Sequence, residues 1–127
     1  MILRCVIVDD SPDVLRTARE LLESEGIAVV GVATTGAEAM RLVEELEPDI
    51  TLVDIDLGSD SGFDLARRLV HVRAGAGARS ILISTHDEAD FANLIEASPA
   101  IGFLPKSDLS ANAIRRLLSR AQDEGRE

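Results

Sequence analysis

The chain has 127 residues, of which 46% are hydrophobic and 28% charged, the balance of one ordinary globular domain. Its formal net charge is −10 and it contains no Trp or Tyr, which argues against non-specific binding of nucleic acid. No apolar run approaches the ~20 residues of a membrane span. The first strand is predicted at the N-terminus and the single Cys5 excludes an internal disulfide, so we expect a cytoplasmic protein without membrane contact.

Five β-rich runs alternate with five helical patterns along the chain. The strands are predicted near residues 3–8, 28–33, 50–54, 80–84 and 101–104. The helices are predicted near residues 12–25, 36–46, 63–72, 87–97 and 109–122. The strands are apolar on both faces, as the strands of a buried parallel sheet are. This alternation predicts βαβ units and a doubly wound α/β fold.

Local signals support the ends of the first two helices. Ser11 before a proline is typical of a helix N-terminus, and Gly26 is typical of a C-terminus. Thr35 and Glu38 have the spacing of a capping box. The stretches 58–62 and 74–78 are predicted to be irregular. We expect one domain over residues 1–122 and a frayed tail over residues 123–127.

Polar groups stand at the carboxyl ends of four predicted strands. Asp9 and Asp10 follow the first strand, and Asp54 ends the third. Ser84 ends the fourth strand, and Lys106 follows the fifth. Ligands of open parallel sheets bind just beyond these ends, so residues distant in sequence would converge on one pocket.

Three carboxylates in one crevice repel each other unless a cation compensates their charge. All-oxygen ligands favour a hard ion, and Mg²⁺ suits a site with one or two direct carboxylates. The chain has only two His and one Cys, so a zinc site is not expected.

Magnesium, the ammonium of Lys106 and the hydroxyl of Ser84 can each bind one oxygen of a phosphoryl group, which stabilises phosphoryl transfer. A carboxylate can itself be the nucleophile and form an aspartyl phosphate, and Asp54 is the natural candidate. Serine is common in turns and lysine on surfaces, so neither residue is informative alone. The ordered combination of all four strand ends carries the prediction.

Five short motifs also occur in a characteristic order, and together they extend over essentially the whole chain. They are Val8–Ser11, Val53–Gly58, Ser61–Phe63, Leu82–Thr85 and Gly102–Lys106. In this respect the chain resembles the receiver domain of bacterial two-component response regulators, in its single-domain, chemotaxis-regulator-like form. The resemblance implies a flavodoxin-like fold, a five-stranded parallel sheet of order 2-1-3-4-5 with five flanking helices.

The resemblance also implies a role for each acidic residue. Asp54 would accept a phosphoryl group from a histidine kinase, a phosphotransfer protein or a small phosphodonor. Asp10 and Asp54 would bind Mg²⁺ directly, together with the backbone carbonyl of Asp56. Asp9 would act largely through water. No organic cofactor is implied, and enzymatic activity would be limited to self-phosphorylation and self-dephosphorylation.

A switch is implied as well. Ser84 would move its hydroxyl toward the phosphoryl group, Lys106 would pair with that group, and Phe103 would turn inward as the switch aromatic. The surface of the fourth helix, fifth strand and fifth helix would then change its affinity for a downstream protein target, or form a homodimer. Direct contact of this domain with nucleic acid is not implied.

Three features depart from the common receiver pattern. Leu57 and Gly58 stand where many receivers have Met-Pro, and Pro105 precedes the lysine instead of following it. The switch aromatic is Phe103, without the hydroxyl of a tyrosine. His86, two residues past the switch serine, is a candidate for controlling water access to the phosphoryl group.

Two other functions stay open at the level of sequence. Asp54 and Asp56 match the D-x-D motif of haloacid-dehalogenase-like phosphatases, although that motif normally ends the first strand of its sheet. A receiver-like scaffold that works by protein contact without phosphorylation is the second alternative. The chain could also be one domain of a longer regulator, with a helix-turn-helix output domain after it.

Overall fold

Five parallel strands form the centre of the molecule, and helices cover both faces. A computed structural model describes residues 2–58, 60–72, 79–86 and 88–124. The strands are β1 (Arg4–Val8), β2 (Ala28–Ala33), β3 (Ile50–Asp54), β4 (Ser80–Ser84) and β5 (Gly102–Pro105). The helices are α1 (Pro12–Ser24), α2 (Gly36–Leu46), α3 (Gly62–Leu69), α4 (Ala92–Ala97) and α5 (Ala111–Glu124). Among the described residues, every helix is too short or too polar to cross a bilayer.

The order of the strands in the sheet is β2-β1-β3-β4-β5, which confirms the predicted flavodoxin-like topology. All four pairings are parallel. Asp54 lies opposite Ile83 on the neighbouring strand, and Ser84 lies opposite Pro105 on the next. The carboxyl ends of the strands therefore meet along one edge of the sheet.

Two apolar layers hold the helices against the sheet. One layer joins the sheet to α2 and α3, and the other joins it to α1 and α5. Alternate residues of one strand enter different layers, as Val6 and Ile7 of β1 do. Each fully buried Leu or Ile contributes roughly 1.5–3 kcal/mol relative to an exposed side chain. Cys5 belongs to this core, and burial raises the pKa of its thiol to about 12, so it acts as a small apolar residue.

The predicted helix ends are present in α1 and α2. Ser11 accepts a hydrogen bond from a first-turn amide at 3.4 Å, and Gly26 follows α1 with a φ of +91°. Thr35 Oγ1 accepts from the amide of Glu38 at 3.2 Å. The Glu38 carboxylate accepts from Thr34, one residue before the position that a standard capping box uses.

The N-terminus of α5 has a local cap, Ser110, and a second hydrogen-bond acceptor from a distant part of the chain. The amide of Ala111 donates to Glu25 Oε1 at 2.7 Å, across 86 residues of sequence. Glu25 is the residue at the C-terminal end of α1. The first and last helices, which share one apolar layer, are thereby tied together at their ends.

Several boundaries differ from the predictions. Helix α3 is shorter than expected, and a 3₁₀ turn over Glu88–Phe91 replaces the first part of the fourth predicted helix. A second 3₁₀ turn, Lys106–Asp108, precedes α5. Buried Leu109 after it has extended backbone, so α5 begins at Ala111 rather than at the predicted residue 109. The stretch 58–62, predicted as irregular, contributes Asp60–Ser61 to a short antiparallel ladder with Asp56–Leu57. Several positions lie outside the described residues: the predicted connector at 74–78, Ser59, Asp87 and residues 125–127 of the predicted tail.

Candidate functional site

Four of the predicted site residues meet at the carboxyl edge of the sheet. Asp9, Asp10 and Asp54 each place one carboxylate oxygen within 4.8 Å of the others. The Lys106 ammonium lies 2.7 Å from Asp9 Oδ2 and 3.3 Å from Asp54 Oδ2. Three acids and one amine from three different strand ends therefore share a single pocket.

The two adjacent acids after β1 have opposite surroundings. Asp9 is fully buried, and its amide donates to the carbonyl of Ala33, which holds it at the end of the strand. Its Oδ1 accepts from the amide of Ser11 at 2.9 Å. Asp10 is exposed. The pair thus supplies one carboxylate fixed in the protein and one carboxylate in contact with solvent.

Asp54 is the last residue of β3 and only 5% of its surface is exposed. Its Oδ1 accepts from the amide of Asp56 at 3.2 Å, and its Oδ2 accepts from Lys106. Burial, the largest effect, and the charge of Asp9 raise the pKa of Asp54, whereas the Asp56 amide and Lys106 lower it, and the net result is a pKa of about 6. At neutral pH the carboxylate is therefore mainly ionised, in a setting where ionisation is unfavourable.

Lys106 reaches the pocket even though the proline precedes it. Pro105 is the last residue of β5, and the 3₁₀ turn begins at the lysine. Burial lowers the pKa of Lys106, but its contacts with Asp9 and Asp54 raise it by more, so the net direction is upward. Its ammonium stays charged and compensates part of the carboxylate charge.

The remaining charge fits a hard divalent cation. With all three carboxylates ionised, one ammonium leaves two negative charges uncompensated. Asp9 Oδ2 accepts no hydrogen bond of good geometry among the described residues, although the Lys106 ammonium lies beside it. The cluster consists of carboxylates alone, and exposed Asp10 opens it to water. These are the properties of a Mg²⁺ site rather than of a zinc site.

Ser84 ends β4, beside the acidic pocket. Its side chain is almost fully buried, and its Oγ accepts from the amide of His86 at 2.9 Å. A hydroxyl that accepts one hydrogen bond keeps its own proton to donate to another group. Ser84 can therefore donate to an oxygen bound at the end of the sheet.

Two other predicted residues occupy different surroundings. Asp56 is exposed, and its carboxylate accepts from the amide of Gly58 at 3.3 Å. Phe103 is 8% exposed and lies in the apolar layer on the side of α2 and α3, opposite Leu82. The switch expectation gave Phe103 an inward turn, but in this structure the ring already lies inside.

Gly62 is a site residue whose role the sequence did not reveal. Its amide donates to the carbonyl of Ile55 at 3.0 Å. A Cβ at this position would lie 2.1 Å from the carbonyl oxygen of Asp54 and 2.6 Å from the Cα of Ile55. The start of α3 therefore rests directly on the backbone that carries Asp54. A glycine at the first position of a helix, one residue after an N-cap serine, was the available signal.

Comparisons with known proteins agree with this geometry. The family model of the response regulator receiver domain matches residues 5–118. The response regulator GacA of Pseudomonas aeruginosa is 30% identical over 80% of this chain and 47% of its own length. A protein-glutamate methylesterase/protein-glutamine glutaminase of Shewanella denitrificans is 31% identical over 99% of this chain and 34% of its own length. The crystal structure of a LuxR-family two-component response regulator from Aurantimonas sp. SI85-9A1 is 31% identical, with a TM-score of 0.78, over 100% of this chain and 89% of that chain. The chain thus spans about half the length, or less, of the curated relatives it matches.

Proposed function

We propose that Asp54 is the phosphoryl acceptor of this chain, which belongs to the response regulator receiver domain family and so acts in phosphorylation-dependent two-component signalling. The observation that supports this role most directly is the contact of buried Asp54 with Lys106 inside a cluster of three carboxylates. A buried carboxylate that contacts a charged amine and lies beside two further acids is more typical of a functional site than of a structural ion pair.

In the reaction, a carboxylate oxygen of Asp54 attacks the phosphorus atom of the donor. A new oxygen–phosphorus bond forms, and the bond between phosphorus and the donor atom breaks. The broken bond is N–P in a phosphohistidine and O–P in an acyl phosphate, and the leaving group keeps its electron pair. Lys106 offsets charge on the transferred group, and Ser84 donates a hydrogen bond to one of its oxygens.

We assign the metal to Mg²⁺, held directly by Asp10 and Asp54 and by the backbone carbonyl of Asp56. Asp9 would act through water and through its contact with Lys106. When bound, the ion supplies positive charge that neutralises the phosphoryl oxygens. The all-carboxylate composition of the cluster and the two negative charges that Lys106 leaves uncompensated support this assignment.

The test is incubation with Mg²⁺ and acetyl phosphate, followed by intact-protein mass spectrometry. The wild-type protein is expected to gain the mass of one phosphate, and Asp54→Asn to gain none. Asp56→Asn serves as the matched control and is expected to label, since its exposed carboxylate is not an acceptor. Full labelling of Asp54→Asn would assign the acceptor role to another residue.

The same variants separate the two alternatives. A haloacid-dehalogenase-like phosphatase would hydrolyse phosphate monoesters through many turnovers and lose that activity in Asp56→Asn. The Asp56 carboxylate, however, accepts from Gly58 on an exposed ladder, which gives it no evident role as a general acid. A scaffold without phosphorylation would show no binding of Mg²⁺ by titration at neutral pH. We therefore propose no turnover beyond self-phosphorylation and self-dephosphorylation.

The donor would be a histidine kinase or a phosphotransfer protein, and the output would be a protein contact through α4, β5 and α5. On that surface, half-buried Leu104 and Leu117 lie beside exposed Arg116 and Arg120. On a chain of net charge −10, such an arginine pair suits an acidic protein surface. Sizing the protein with and without beryllofluoride distinguishes a separate target from a homodimer.

The setting of the domain is also a proposal. We place the predicted domain, residues 1–122, in one receiver unit in the cytoplasm, where a lone thiol such as Cys5 stays reduced. Helix α5 continues over the first two residues of the predicted tail, Asp123 and Glu124. Output then passes either to a separate partner or to a further domain of a longer regulator. Reading the encoding frame past Glu127 distinguishes these two routes.

A further inference from the structure

Three rings form a continuous row next to the candidate site. The His86 ring meets Phe91 edge-on, with 5.7 Å between centroids and 65° between planes. Phe91 in turn lies 6.2 Å from Phe63 at an interplanar angle of 45°. The whole chain has only three Phe and two His, and no Tyr or Trp. Three of these five Phe and His rings, Phe63, Phe91 and His86, thus form one aromatic row.

Each end of the aromatic row is attached to a site residue. At one end, the amide of His86 donates to the hydroxyl of Ser84 at 2.9 Å. At the other end, Phe63 follows Gly62, which rests on the backbone of Asp54. Phe63 is buried, and its amide is bound by the N-cap serine of α3, whereas His86 is exposed. The row therefore has one fixed end and one end that is free to move with Ser84.

The middle ring lies at the start of α4. Phe91 ends the 3₁₀ turn and is the N-cap residue of α4, which has no side-chain cap. None of the six residues of α4 is buried. The contacts of this helix with the core are made by partly buried Phe91 and Ile95. A shift of Phe91 is therefore a shift of the start of α4.

We propose that the aromatic row transmits the phosphorylation of Asp54 to α4, an inference that rests on the proposed function. When the Ser84 hydroxyl turns toward the phosphoryl group, the bonded amide of His86 either follows it or is released. In both cases the His86 ring moves against Phe91, while Phe63 stays in place. Phe103 is already buried, so an inward turn of that ring is not available as the signal.

The experiment measures backbone amide exchange of residues 92–97 with and without Mg²⁺ and beryllofluoride. Wild-type protein is expected to change its exchange rates on addition of the mimic. In His86→Ala the change in these exchange rates is expected to be about threefold to tenfold smaller than in wild type. This range corresponds to the interaction energy of one aromatic pair. His86→Phe, which keeps a ring, is expected to restore it. His71→Ala, at an exposed histidine after α3, is the matched control and is expected to respond like wild type.

Labelling with acetyl phosphate is measured by mass for every variant in parallel. The acceptor role of Asp54 and the coupling through the aromatic row are thereby tested separately. A wild-type protein that takes up no phosphate refutes the acceptor and the coupling together. Normal labelling with a full α4 response in His86→Ala refutes the aromatic row alone. Loss of the response in Phe103→Leu, with retention in His86→Ala, assigns the coupling to Phe103.

Discussion

Replacing Asp54 with Asn is expected to stabilise the metal-free protein at neutral pH, and to do so less at acidic pH. The reason is the position of this carboxylate, which is buried beside Asp9 and pairs with Lys106 at 3.3 Å. Burial and the neighbouring acid make its ionised form unfavourable, and asparagine carries no charge to desolvate. A residue proposed to do the chemistry therefore lowers the stability of the fold.

The size and sign follow from the pKa. It rises from 3.8 to about 6 on folding, roughly two units, and at 1.36 kcal/mol per unit this corresponds to about 3 kcal/mol. Because the folded-state pKa is the higher one, the folded protein binds this proton more tightly than the unfolded chain. The stability linked to Asp54 is complete below pH 3.8 and is lost as the pH rises through about 6.

Urea unfolding in EDTA, at a series of pH values from acid to neutral, measures this effect as the difference between variant and wild type. The difference is expected to grow with pH and to level off above the pKa of Asp54. Asp108→Asn, which removes an exposed carboxylate on the turn after β5, is the control, and at neutral pH its difference should be smaller than that of Asp54→Asn. A flat or falling difference for Asp54→Asn would show that burial does not govern this carboxylate.

Three further outcomes are expected. Free Mg²⁺ at one hundred times its Kd should raise the free energy of unfolding of wild type by about 2.7 kcal/mol in the same urea assay. At the same Mg²⁺ concentration, Asp10→Asn should show a smaller rise. Lys106→Met should slow labelling by acetyl phosphate about 10²–10³-fold in a mass-based time course, as loss of a preorganised charge does, and an unchanged rate would remove the lysine from the reaction. Gly62→Ala should destabilise the protein by about 1–3 kcal/mol or more, because its Cβ meets backbone atoms that cannot rotate away. Gly102→Ala should lose less, because there the added Cβ meets the flexible side chain of Leu117.

The parts of the fold that could be predicted from the sequence are those in which burial restricts every residue. The central strands β3 and β4 are buried at all five positions, and apart from Thr51 and Ser80 the residues before their carboxyl ends are apolar. Their polar ends, Asp54 and Ser84, stand out against those apolar residues. The parallel arrangement then brings Asp9, Asp10 and Lys106 to the same edge, which is why the acidic cluster could be foreseen.

What could not be foreseen depends on weaker or more distant contacts. Helix α4 has no buried residue, so its apolar pattern did not reveal the 3₁₀ turn before it. The capping of Ala111 by Glu25 joins residues with no local relation. The close approach of Gly62 to Asp54 depends on how α3 meets the sheet, which no spacing in the sequence records. The inward position of Phe103 likewise follows from packing rather than from residue type.

The bond between Glu25 and Ala111 has a consequence for synthesis on the ribosome. Helix α1 is translated well before α5, because 86 residues separate Glu25 from the amide that it binds. Until α5 emerges, the Glu25 carboxylate lacks this partner and the apolar stripe of α1 lacks its later neighbour. Helix α1 therefore acquires its full set of contacts only after α5 has left the exit tunnel.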